Sequence, residues 1–164
     1  MAKKSMYIMK LKRRIENKTD YKKRLALIKS GKARLVIRKS LSNISVQFIE
    51  FNPEGDKTLA SAFSAELKKF GWEKTGNVSG AYLTGFLAGK KAKSKKINEA
   101  ILDLGLQTST KGSRLYAALK GVLDSGINVS HSEEILPDEN RIKGKHISED
   151  LEKKFEDVKK KIGG

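Results

Sequence analysis

Along the stretch NISVQFIEF at 43–51, Ile44, Val46 and Phe48 alternate with Ser45 and Gln47, the period of two expected of a strand with one buried face. The run ARLVIRK at 33–39 is rich in apolar residues, and only Ser40, Leu41 and Ser42 separate it from the second run, so the pair reads as a hairpin. NPEGD at 52–56 supplies Asn, Pro and Gly for a turn, after which KTLASAF is expected to return as a third strand. Farther on, AILDLGL at 100–106 is a compact apolar run that reads as a buried strand.

Between and after these runs the period changes to that of a helix. In SAELKKFGW, Ser64 is expected to cap a short helix that Gly71 stops. From Asn77, the apolar or small residues Val78, Ala81, Tyr82, Gly85, Phe86, Ala88 and Gly89 recur at spacings of three and four, and Lys90, Lys91 and Lys93 suit the carbonyl end of that helix. SRLYAALKGVLDSG at 113–126 places Leu115, Ala118, Leu119, Val122 and Leu123 on one face before Gly126. Three strands, a helix, a strand and a helix predict an α/β fold, a mixed sheet made of an antiparallel meander plus a parallel strand and covered by helices. A last segment, SEDLEKKFEDVKKKI, carries Leu151, Phe155, Val158 and Ile162 on one face. It is expected to dock weakly on the body or to fold only against a partner.

Charge divides the same chain differently. Up to Lys39 there are fifteen Lys or Arg against Glu16 and Asp20, a net +13 of the +16 carried by all 164 residues. Residues 1–32 therefore read as a basic arm, 33–130 as an α/β body and 131–164 as a polar extension of mixed charge. An arm of this kind repels itself, so it calls for a polyanion. The stretch from Leu11 to Arg24 sets Lys12, Arg13, Arg14, Lys18, Lys22, Lys23 and Arg24 around Tyr21 and two acids. Arginine forks onto phosphate or stacks on bases, lysine acts as a point charge, and tyrosine offers a face to an unpaired base, which together favour folded RNA. Asp20 is expected to orient a neighbouring arginine or to cap a helix beginning near Tyr21. A membrane is disfavoured, because no run approaches the ~18 apolar residues of a spanning helix and MAKKSMYIMKLKRR lacks a secretory core.

Catalytic chemistry finds little material. No cysteine exists for disulfides, thiolate metal sites or nucleophiles, and a cytosolic location is expected. His131 and His146 both fall in the polar extension, without metal-ligand spacing. GFLAGKKA has three residues between its glycines, where the phosphate loop needs four and a Ser or Thr after Lys; Gly80, Gly85 and Gly89 are expected instead to let a neighbouring backbone approach. A sheet of this order resembles the ribonuclease H type, but the first strand carries Arg38 and Lys39 where a metal-binding acid is wanted, and Asp103 is the only acid in AILDLG. No metal and no cofactor are expected. In TSTKGSR, the residues Thr108, Ser109, Thr110 and Ser113 surround Lys111 and Gly112 before a helix, either a phosphate-binding corner or a plain capped helix with incidental charge.

The blocks RRIENKTDYKKRLALIKSGKARLVIRKS, GDKTLASA, AYLTGFLAGKKA, AILDLGL, TKGSRLYAALKGVLDSG and HSEEILPDENRIKGKHI, in order from about Arg13 to Ile147, resemble the archaeal form of the large-subunit ribosomal protein family that binds 5S ribosomal RNA. The resemblance implies a ribonuclease H-like body without catalytic acids. It implies docking of 5S rRNA to 23S rRNA in the central protuberance, beside a second 5S-binding protein. It carries Arg13, Arg14, Lys18, Thr19, Asp20, Tyr21 and Arg24 onto the family's arm motif, Arg38, Lys39, Ser40 and Asn43 onto its hairpin motif, and Lys111, Ser113 and Arg114 onto its helix-start motif. With Lys12 and Lys22 from the charge pattern, these, Asp20 apart, are the expected RNA contacts. Ala33 stands where the family often has proline, and Val78, Ser79 and Gly80 replace an alanine-rich run, so contacts around Thr75 to Ser79 are not carried over. A metal-dependent nuclease and a general basic nucleic-acid-binding protein are the alternatives.

Overall fold

The computed structural model describes residues 9–163; Lys3 and Lys4 of the basic arm lie outside them. Five strands form one mixed sheet in the order β3-β2-β1-β4-β5. The meander is present as β1 (Ala33–Lys39), β2 (Ile44–Glu50) and β3 (Lys57–Phe63), all antiparallel. β4 (Glu99–Asp103) adds parallel to β1 with Leu35 opposite Leu102. Beyond it lies β5 (Asn128–Val129), a parallel strand absent from the sequence expectation because two residues carry no period.

The alternation seen in the sequence decides the two faces. Leu35 and Ile37 from β1, Ile44, Val46 and Phe48 from β2, and Ala60 and Ala62 from β3 are buried under helices. Those helices are α3 (Val78–Ser94) and α4 (Arg114–Asp124). On the neighbouring positions of β1, Arg34, Val36 and Arg38 turn to the opposite face. There they meet α2 (Tyr21–Lys29), the helix of the basic arm, which follows the single turn α1 (Lys12–Ile15).

Helices α3 and α4 approach closer than side chains permit. A Cβ on Gly85 would sit 2.0 Å from the Ala118 carbonyl oxygen, and one on Gly121 would sit 2.1 Å from the Tyr82 carbonyl oxygen. Glycine is thus required on both helices at the crossing, the close approach expected of Gly85. Tyr82 Oη also donates to the Asp124 carboxylate across the same pair.

Two local elements differ from the sequence expectation. The segment Ser64–Phe70 is a 3-10 helix, and Ser64 does not cap it. Its hydroxyl is drawn into the sheet, accepting the Ile44 N–H (3.1 Å) and donating to Asn43 Oδ1 (2.9 Å). Glu66 takes over, accepting the Phe63 N–H at 2.9 Å, while Gly71 ends the turn with φ 87° as expected. The second difference is α6 (Glu149–Gly163), which follows the short α5 (Glu139–Lys143). Rather than docking weakly, its face of Leu151, Phe155, Val158 and Ile162 is buried in the main core, Phe155 lying 6.2 Å edge-on from Trp72 and 5.4 Å from Tyr82. Each such side chain contributes on the order of 1.5–3 kcal/mol, so the helix is held by its own chain.

The outer edge of β3 is covered by α3. Lys91 Nζ donates to the Ser61 carbonyl at 3.0 Å and to Glu66, and Lys95 Nζ donates to the Leu59 carbonyl. Burial raises the Glu66 pKa, but the Lys91 ammonium and the Phe63 N–H outweigh it and hold the carboxyl below its ordinary 4.5.

Gly85→Ala is expected to force α3 and α4 apart and to destabilise the protein by about 2 kcal/mol or more, read as a lower urea midpoint. Because the folded pKa of Glu66 is depressed, its contribution is complete above the unfolded pKa of 4.5 and is lost as pH falls through the folded value. Glu66→Gln should therefore lower the midpoint at pH 7 and leave a shallower acid limb between pH 5 and pH 3, in roughly the window where a carboxylate titrates.

Candidate nucleic-acid interface

The arm is shaped by its own polar residues. Asp20 caps α2, its carboxylate accepting the N–H groups of Lys22 (3.0 Å) and Lys23 (3.2 Å), the second of the two roles expected for it. Arg13 Nε donates to Thr19 Oγ1 at 2.9 Å, folding α1 back toward the start of α2, and Lys18 pairs with Glu16 at 2.8 Å. Lys12, Arg14, Lys22 and Lys23 are exposed and, among the described residues, enter no ion pair. Tyr21 is half-buried.

A chain of guanidinium and carboxylate groups ties this arm to the sheet. Arg24 Nη2 meets Asp56 Oδ2 at 2.8 Å, and the same oxygen takes Arg34 Nη2 at 2.6 Å. Arg34 Nη1 reaches Asp103 Oδ2 at 3.2 Å, and Arg38 Nη2 reaches Asp103 Oδ1 at 3.0 Å. Arg38 Nη1 adds the carbonyls of Asp103 (2.6 Å) and Ile37 (2.9 Å), and the Gly105 N–H donates to Asp103 Oδ1. Arg34 is 5% exposed and Asp103 7%, so this pair lies in the interior, where removing one partner costs far more than the pair contributes. The buried Arg34 Nε–H has no acceptor among the described residues.

Between α2 and the sheet this ladder borders a cavity of about 540 Å³. Arg13, Lys18, Thr19 and Arg24 of the expected contacts line it, together with Arg38. The other expected residues lie elsewhere. At the hairpin end, Ser40 N–H donates to the Asn43 carbonyl (2.8 Å), Asn43 N–H donates to Ser40 Oγ (3.0 Å), and Gln107 brackets the Lys39 backbone with both ends of its amide. Arg114 Nη1 donates to the carbonyls of Leu41 (3.0 Å) and Gly76 (2.7 Å), which joins the start of α4 to that hairpin. Lys111 faces Glu134 at 3.4 Å in solvent. Ser113 precedes α4 without a capping bond, and its buried hydroxyl has no partner among the described residues.

Three residues of this region were absent from the expected contacts. Arg34 was visible as the one charge inside ARLVI, Asp56 as the acid of the NPEGD turn, and Gln107 carried no signal. Asp56 and Asp103 are both held by arginines, and among the described residues no group of three or more His, Asp or Glu is placed to hold a metal ion. No helix among them is long and apolar enough to cross a membrane.

An α/β fold that carries +13 of its +16 net charge in the residues up to Lys39 has the electrostatic form of a polyanion-binding protein. More narrowly, the chain belongs to the family of ribosomal large subunit proteins 60S L5 and 50S L18, whose model matches residues 5–98 and 89–132. It is 59% identical to the large ribosomal subunit protein uL18 of Korarchaeum cryptofilum, over 93% of this chain and 79% of that one. The uL18 proteins of Natronomonas pharaonis and Methanothermobacter thermautotrophicus are 48% and 47% identical, each over 91% of this chain and 82% and 78% of their own.

Asp103→Ala removes the acceptor shared by Arg34, Arg38 and Gly105 and is expected to destabilise the fold by about 3 kcal/mol. Lys111→Ala, which breaks a solvent-exposed pair, should leave the midpoint unmoved in the same chemical denaturation experiment.

Proposed function

We propose that this protein is a structural component of the large ribosomal subunit in the cytoplasm, binding 5S rRNA and helping to dock it to 23S rRNA in the central protuberance, without chemistry of its own. The observation that carries this is the family membership over most of the chain, at 47–59% identity to uL18 proteins. Charge supports it independently, since the net +13 up to Lys39 has only two acids within it. A second 5S-binding ribosomal protein is the expected neighbour.

In this reading residues 1–32 grip RNA, 33–130 position the arm, and 131–164 extend the body. Lys12, Arg14 and Lys22 supply free charge to phosphates. Arg13, Lys18, Thr19, Tyr21 and Arg24 contact RNA from partly organised positions. Arg38, Lys39, Ser40, Asn43, Lys111, Ser113 and Arg114 form a second contact region at the hairpin and helix start, where Arg38 and Arg114 also serve the fold. The strand order supports a ribonuclease H-like motif, and the engagement of Asp103 by two arginines supports its use as a structural acceptor.

Binding of 5S rRNA should tighten as salt falls, with a log-log slope of about −4 to −9 if six to ten phosphates are engaged. The combined substitution Lys12→Ala, Arg14→Ala and Lys22→Ala should make that slope shallower by about 2 to 3 while leaving thermal unfolding unchanged. Equal affinity for duplex DNA and 5S rRNA at matched salt would favour a general nucleic-acid binder, and an unchanged slope would remove the arm from the interface.

A further inference from the structure

We propose that the cavity between α2 and the sheet receives a single unpaired nucleotide of the bound RNA. The proposal rests on the RNA-binding reading and assigns one site within it. At about 540 Å³ the space falls within the ~300–1,000 Å³ of small-ligand sites. Its walls are aliphatic on both sides, with Ala26 and Leu27 on α2 and Val36, Ile49 and Leu102 on the sheet. A planar base presents an apolar face to such residues.

The same lining also carries charge. Asp56 and Asp103 are already taken by Arg24, Arg34 and Arg38, and Asp20 is taken by the first amides of α2. Arg13, Lys18 and Lys23 line the same space, and among the described residues Lys18 pairs with the exposed Glu16 alone. Surplus cation around an apolar slot suits a ligand with a flat uncharged part and an anionic part.

Ala26 offers the test, because it is exposed on α2 and lines the slot without belonging to the charge ladder. Ala26→Trp fills the space and leaves every cation in place, and Ala26→Phe serves as a smaller filler should the first variant melt early. With full-length protein and a 5S rRNA transcript, the filled variant should bind about 10-fold more weakly at an unchanged salt slope, as loss of one stacked base requires. In base-modification footprinting of the wild-type complex, one unpaired nucleotide should be protected, and it should regain reactivity with the variant. Unaltered affinity and protection, or no singly protected nucleotide in the wild-type complex, would overturn the proposal while leaving RNA binding intact. Failure of the wild-type protein to bind the transcript would overturn both. Calorimetric binding of free adenosine or guanosine monophosphate without RNA would reassign the slot to a metabolite, also against the proposal.

Discussion

The burial of Arg34 is the constraint on which the arrangement of the arm depends. A guanidinium at 5% exposure needs its charge met, and it is met from two directions, by Asp56 in the turn between β2 and β3 and by Asp103 at the end of β4. Once those two carboxylates are fixed, each accepts a second arginine, Asp56 through the same oxygen and Asp103 through its other one. Arg24 joins Asp56 and brings α2 onto the sheet; Arg38 joins Asp103 and closes the end of β1 against β4. Sheet register, turn position and arm placement are therefore settled by one ladder of alternating charge.

The other sheet face works by apolar packing. Leu35, Ile37, Phe48 and their neighbours meet α3 and α4, whose backbones touch at Gly85 and Gly121, and α6 closes the layer with Phe155 against Trp72 and Tyr82. Each face thus has its own adhesive, and the cationic residues of α1 and α2 lie on the side away from the core. This separation lets the arm carry a high charge density while the core loses nothing to it.

Much of this was legible in the sequence because it is local. The alternation through Ile44, Val46 and Phe48, the spacing from Val78 to Gly89, Asp20 ahead of α2, and Gly71 as a stop each need only a few neighbouring residues. What stayed hidden depends on partners far away in the chain. Arg34 finds Asp56 at a separation of 22 and Asp103 at 69, and Ser64 leaves its helix for Asn43, 21 residues earlier. β5 is two residues long and exists only because β4 offers it an edge. Arg38 and Arg114 look like free cations in sequence, yet both have backbone carbonyls to hold.

The lysines that α3 lays along β3 have a bearing on the life of the free protein. Leu59 and Ser61 present carbonyls outward on the terminal strand, the kind of template onto which a second polypeptide can add. Ammonium groups from Lys91 and Lys95 occupy them, so an incoming strand would have to displace two cations before forming its first bond. A protein made apart from its polyanion is in this way protected from stacking on its own copies during the wait for assembly.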